Sequence, residues 1–120
     1  MIRIMDCDFT VETEKKYAAS VDMGGTNLRF ALLDESLTIV DRHQVETACF
    51  CSPDKVLKFI ENVVLEWTNC GVALQGICVG APGPLNCITG VVDYMPNVPG
   101  FRDFPFQSEL QSRLNKPVML

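Results

Sequence analysis

Two apolar runs that meet at a pair of glycines constrain this chain more than any other feature. Tyr17 to Val21 reads Y-A-A-S-V and Leu28 to Leu33 reads L-R-F-A-L-L. Between and across them lies Asp22-Met23-Gly24-Gly25-Thr26-Asn27-Leu28-Arg29. Strand-like runs joined through Gly-Gly predict a β-hairpin, because a tight hairpin turn calls for φ > 0 and glycine adopts it at no steric cost. The residues around that turn suit a phosphate. Amides without side chains approach anionic oxygens closely, Thr26 adds a hydroxyl, and Arg29 adds a planar cationic fork. Asp22 would repel a bare phosphate, which implies a hydrated divalent cation between carboxylate and phosphate. The competing reading is a hairpin whose Asp and Arg are merely solvated. Gly-Gly alone favours that; the whole D-x-G-G-T-x-x-R string favours phosphate.

The rest of the chain extends the hairpin into an α/β pattern. Residues 1–15 read as an N-terminal extension, and strand one runs from Lys16 to Met23. Strand two covers Leu28–Asp34, Asp34-Glu35-Ser36 turns the chain, and strand three runs from Leu37 to Thr47. Three strands with short turns predict an antiparallel meander. Ser52-Pro53-Asp54 opens a helix with an N-cap, a first-position proline and an acid in the first turn. Val56, Ile60, Val63 and Trp67 form one stripe with Leu57 and Val64 beside it, and Gly71 stops the helix. The stripe reads as a core-facing surface rather than a partner-binding one. Leu74 to Gly80 is then a buried strand reached by a helical crossover, hence parallel to an earlier one. A loop with a small hairpin occupies Ala81 to Tyr94. Phe106, Leu110 and Leu114 mark a second helix ending near Asn115, and Val118-Met119-Leu120 begins another strand.

Composition closes off several classes. At 120 residues the chain is one domain at most, long enough to bury a real core, and 48% apolar with 21% charged residues is ordinary for a globular protein. The net charge of −5 and the lack of a basic stripe argue against a nucleic-acid surface. The N-terminus M-I-R-I-M-D-C-D is not a secretory signal, and no apolar run approaches membrane-spanning length, so the expectation is a soluble cytoplasmic protein. Six cysteines (Cys7, Cys49, Cys51, Cys70, Cys78 and Cys87) show no C-x-x-C pair, and His43 is the only histidine. Cys78 reads as a small hydrophobe inside its strand. Cys49-x-Cys51 with His43 would make a chelating set, and strand alternation explains the pair equally well. Structural thiols outweigh a metal site.

The D-x-G-G-T-x-x-R string resembles the first phosphate motif of the sugar kinase, Hsp70 and actin superfamily, and in its detail the ROK family of bacterial sugar kinases and regulators. Gly76-Ile77-Cys78-Val79-Gly80-Ala81-Pro82-Gly83-Pro84 resembles that family's strand and loop ending in P-G-P. Gly90-Val91-Val92 and Pro96-Asn97-Val98-Pro99-Gly100-Phe101 resemble its G-x-V and P-N-x-P-G-[WF] segments. The resemblance runs in order from about Lys16 to Leu120. Hsp70-like ATPases share the Gly-Gly-Thr turn but not the proline-rich segments.

This resemblance implies a ribonuclease H-like half-domain of order β-β-β-α-β-α-β, a truncated mixed sheet whose first three strands are antiparallel. It implies an ATP- and magnesium-dependent, glucokinase-like kinase acting on a hexose. Gly24, Gly25, Thr26 and Asn27 would line the phosphates, and Asp22 would hold magnesium through water. Arg29 would support the turn or neutralise charge, or would instead pair with a structural carboxylate. Gly80, Pro82, Gly83 and Asn97 are the implied sugar contacts, although asparagine in a proline-rich loop is just as often a turn former. The family's general-base aspartate follows the P-V-x-x segment, here Pro117-Val118-Met119-Leu120, so it would come just after Leu120. The family's zinc-binding His and Cys cluster belongs to its second half and has no match here. The chain alone is therefore expected to be inactive and to be one part of a two-domain kinase. A non-catalytic half-domain that binds sugar, phosphate or another chain (a second copy included) through an open sheet edge is the alternative. The apolar ending at Val118-Met119-Leu120 favours a fragment over that reading. A ROK transcriptional regulator would need a DNA-binding unit ahead of strand one, where only Met1 to Lys15 stands. The sugar itself is not readable.

Overall fold

The computed structural model describes residues 9–12 and 14–120. Cys7 and most of the expected extension fall outside them. Strands β1 (Tyr17–Met23), β2 (Asn27–Leu33) and β3 (Ile39–Glu46) follow one another. β2 pairs antiparallel with both its neighbours, which is the expected meander. Alternation decides the two faces. Tyr17, Ala19, Val21 and Met23 of β1 are buried with Leu28, Phe30 and Leu32 of β2, while Ser20, Asp22 and Arg29 are exposed on the opposite face.

Past a 3-10 turn at Thr47–Cys49, helix α1 spans Pro53–Asn69. Its ends follow the local chemistry. The Ser52 hydroxyl accepts the Lys55 N–H at 3.3 Å, and Gly71 takes φ +91° just beyond the C-cap Cys70. Val56, Leu57, Ile60, Val63, Val64 and Trp67 all turn into the core. Trp67 is wholly buried, and its Nε1–H donates to Asp41 Oδ2 on β3 at 2.8 Å.

The crossover returns as β4 (Leu74–Gly80), parallel to β1. Next come β5 (Leu85–Asn86), β6 (Val91–Tyr94) and β7 (Arg102–Phe104), paired antiparallel in a small second sheet. The hairpin of β5 and β6 was legible; β7 was not. Its three residues carry no apolar alternation, and Asp103 sits at φ +47°. Helix α2 (Phe106–Leu114) ends on Asn115 at φ +52° and leads to β8 (Val118–Met119), parallel to β4. Among the described residues the main sheet has the order β3-β2-β1-β4-β8.

Two glutamines of α2 close the outer side of β8. Gln107 Nε2 donates to the Val118 carbonyl at 2.7 Å, and Gln111 Oε1 accepts the Val118 N–H at 3.1 Å. An edge strand whose outward groups are already bonded is a poor template for another chain. Arg113 of α2 meets Asp54 and Glu61 of α1, a surface link of small energetic weight.

Cys78 departs from expectation. It is exposed, because period two in β4 sends Ile77 and Val79 into the core and turns Cys78 to the open face. The described part of the extension is not idle: Phe9 and Val11 pack against the core, and the Glu12 N–H donates to the Tyr17 hydroxyl at 3.1 Å.

His43 lies on the helix-facing side of β3, its ring stacked on Phe59 with centroids 5.9 Å apart. Burial lowers its pKa, against a smaller raising effect from Asp41. The folded state therefore prefers neutral His43. Its contribution to stability is whole above the unfolded-state pKa of about 6.5 and is lost as pH falls through the lower folded value, because the unfolded chain takes the proton first. His43→Phe, which keeps a stacking ring, is expected to flatten the loss of stability between about pH 7 and pH 5. Urea midpoints across that range check this; an unchanged slope would remove His43 as the cause.

Candidate functional site

The hairpin turn is built by close approach, not by unusual dihedrals. Neither Gly24 nor Gly25 has positive φ, contrary to expectation. The turn is closed by the Gly24 N–H donating to the Asn27 carbonyl at 2.9 Å. A Cβ on Gly24 would stand 2.8 Å from that same Asn27 oxygen, and one on Gly25 would stand 2.8 Å from Asn97 Nδ2. Glycine is required because backbone and a neighbouring amide occupy the space of a side chain.

Thr47 braces the turn from the far end of β3. Its N–H donates to the Thr26 carbonyl at 2.8 Å and its hydroxyl to the Gly24 carbonyl at 2.9 Å. It is fully buried, so both its polar groups are satisfied by the turn they hold. Nothing in the local sequence marks Thr47, since its partners lie more than twenty residues upstream.

Strand register aligns the other candidates. Asp22 of β1 lies opposite Arg29 of β2 and also opposite Gly80 of β4, and Arg29 in turn faces Gln44 of β3. Gln44, Arg29, Asp22 and Gly80 thus form one row across four strands, all on the exposed face. Arg29 Nε donates to Gln44 Oε1 at 3.3 Å. Among the described residues Arg29 has no carboxylate within ion-pair distance. A second arginine, Arg42, joins Ser20, Asp22, Arg29, Phe30 and Ala31 around a concavity of ≈ 240 Å³. Sequence reading passed over Arg42, although its position two residues before Gln44 puts it on the same face by alternation.

Gly80 is the open member of the row: a Cβ there would meet nothing within 4 Å. The space on its side-chain side is open, whereas Gly83 is closed in by the protein. Gly83 has φ +87°, and a Cβ on it would fall 2.6 Å from the Tyr94 carbonyl, so this glycine lets the P-G-P loop cross β6. Pro82 is half-buried beside it. In the proline-rich loop Met95, Val98 and Phe101 are buried and Asn97 is exposed. Anchored on either side, Asn97 reaches over Gly25. Two segments 72 positions apart (97 − 25) therefore share one corner of the molecule.

Metal chemistry finds no cluster. Among the described residues no group of three or more His, Cys, Asp or Glu side chains is placed to hold an ion directly, so the set of Cys49, Cys51 and His43 does not form. A carboxylate that is exposed and singly placed, like Asp22, suits a cation that keeps its water shell. No described helix is long and apolar enough to cross a membrane.

A meander, two crossover helices and the strand order β3-β2-β1-β4-β8 define a ribonuclease H-like half of the actin and Hsp70-like fold, with the Gly-Gly turn at the end of its first hairpin. Within that class the chain belongs to the ROK family, whose model matches residues 18–120. It is 29% identical over 100 residues to a glucokinase of Thermotoga maritima, covering 83% of this chain and 31% of the relative. Its fold matches a ROK glucokinase of Streptomyces griseus solved with glucose and AMPPNP, at TM-score 0.74 and 23% identity over 87% of this chain and 32% of that one. It matches equally a ROK transcriptional regulator homologous to the E. coli MLC protein, at TM-score 0.74 and 18% identity over 89% and 28% of the two chains. The chain thus spans about a third of the relatives' length, and the shared fold by itself does not separate kinases from regulators.

Proposed function

We propose that this chain is the N-terminal part of an ATP-dependent, glucokinase-like sugar kinase that transfers the γ-phosphoryl group to a hexose hydroxyl, with residues 16–120 forming part of its first domain. The observation that carries the reading is the contact of Asn97 with Gly25. Phosphoryl transfer is mostly positioning, and it needs phosphate and acceptor held at one place. The Gly-Gly turn and the proline-rich loop meet where such an arrangement would be needed.

In this reading Gly24, Gly25, Thr26 and Asn27 present the turn to the phosphates. Arg29, free of any carboxylate partner among the described residues, faces developing negative charge. Asp22 holds magnesium through its water shell, and magnesium when bound supplies charge neutralisation to the phosphates. Gly80 and Asn97 offer an open backbone and an exposed amide to sugar hydroxyls. Pro82 and Gly83 shape the loop that carries Gly80, so their part is positional. The glucokinase relative supports a hexose, and ROK membership supports ATP as the donor.

The 120-residue chain by itself is expected to be inactive. The family resemblance assigns the general base to a position after Leu120, and a base is worth about 10²–10⁴-fold. A coupled assay with ATP, magnesium and a panel of hexoses should give no sugar-dependent ADP release above blank. Clear sugar-dependent release would overturn the assignment of the base outside this chain.

A further inference from the structure

Cys49 and Cys51 are both free and exposed. Phe50 between them is extended, with φ −104° and ψ 128°, and only 7% exposed. An extended residue sends its two neighbours to the side opposite its own. With Phe50 sunk in the core against Phe59, both thiols therefore face outward together. Two steps of about 3.3 Å put their Cα atoms about 6.6 Å apart, at the upper end of the span of about 4.4–6.8 Å that a disulfide bridges. Closing the bond therefore bends the backbone at Phe50 until the two Cβ atoms lie within about 4.5 Å. They line one concavity of ≈ 280 Å³ with Lys55, Lys58, Phe59 and Asn62. The segment is tied at both ends, by Thr47 on the hairpin turn and by Ser52 capping α1. The pair is thus presented on a short span between two tied ends, with Lys55 and Lys58 lining the same concavity.

We propose that Cys49 and Cys51 form a redox-active dithiol that hydrogen peroxide converts to an intramolecular disulfide. One thiolate attacks a peroxide oxygen, the O–O bond breaks, and the departing hydroxide takes a proton to leave as water. The resulting sulfenic acid is attacked at sulfur by the second thiolate; the S–S bond forms, and the hydroxyl leaves with a proton as a second water. Two thiols are oxidised and one peroxide is reduced. Lys55 and Lys58 supply positive charge beside the hydroxide as it departs. Cys78 on β4 and Cys87 in the β5–β6 turn are also free and exposed, but neither has a cysteine two residues away. They serve as internal controls.

The test treats the full chain with limiting hydrogen peroxide, alkylates the remaining thiols and digests with trypsin. The peptide His43–Lys55 holds Cys49 and Cys51 and no other cysteine. The expected result is this peptide unalkylated and lighter by two hydrogen atoms, appearing while Cys78 and Cys87 are still alkylated. Cys49→Ser and Cys51→Ser should each abolish that species and leave a sulfenic acid, captured by dimedone, on the remaining cysteine of the pair. Far-ultraviolet circular dichroism matching the wild type shows that each variant is folded. The proposal is overturned if both cysteines of the peptide are alkylated after Cys78 or Cys87 has been oxidised. Oxidation of the pair to separate sulfinic or sulfonic acids with no disulfide overturns it equally.

Discussion

Trp67→Ala is expected to destabilise the chain by about 3–5 kcal/mol, the cost of emptying a fully buried aromatic site. Trp67 closes the apolar stripe of α1 with zero exposure, and it is tied to the sheet through Asp41 at 2.8 Å. Alanine removes the ring and leaves the Asp41 carboxylate without its donor. Against a typical total of about 5–15 kcal/mol, such a loss is a large share of the stability. Trp67→Phe keeps most of the volume and deletes only the N–H, so its cost should be smaller, about 1–3 kcal/mol. Urea unfolding followed by circular dichroism measures both, since the indole itself is the fluorophore being removed. Equal costs for the two substitutions would place the energy in the hydrogen bond; a Trp67→Ala midpoint near wild type would contradict the packing described above.

The second large effect concerns Asp22, and it is expected in activity rather than stability. In a chain completed with the remaining length of a glucokinase relative, Asp22→Ala should lower turnover about 10²-fold or more. Metal charge stabilisation in such reactions is worth several kcal/mol, and about 1.36 kcal/mol is tenfold in rate. The magnesium concentration for half-maximal rate should rise as well. Asp22 is exposed on the open face, so its removal should change folding stability by no more than about 0.5 kcal/mol. That contrast separates a ligand-facing role from a structural one. Wild-type rate and wild-type magnesium dependence in the variant would refute the reading of the whole row.

Much of the architecture was legible because it rests on local physics. The meander, the α1 stripe from Val56 to Trp67, the Ser52 cap and the Gly71 stop all follow from spacing and backbone preference. The parallel return of β4 follows from the crossover. Where local signals were thin, the reading fell short. β7 is three residues without alternation, and the apolar run around Cys78 does not show which face each of its residues takes, so the exposure of that thiol is not encoded locally.

The candidate site divides in the same way. The sequence by itself determined the ordered motifs that mark family membership, the residue types at the Gly-Gly turn and the strands that carry them, because these depend on neighbours along the chain. Only the tertiary structure decided why the glycines must be glycines. At Gly24 the reason is the Asn27 carbonyl and at Gly25 the Asn97 amide, not a positive φ. It also decided that Thr47 braces the turn, that Arg42 joins Arg29, and that Asp22 stands between Arg29 and Gly80. Each of these depends on cross-strand register or on a contact between distant segments. Such contacts form when the apolar faces of sheet and helices pack together, and no local preference encodes them.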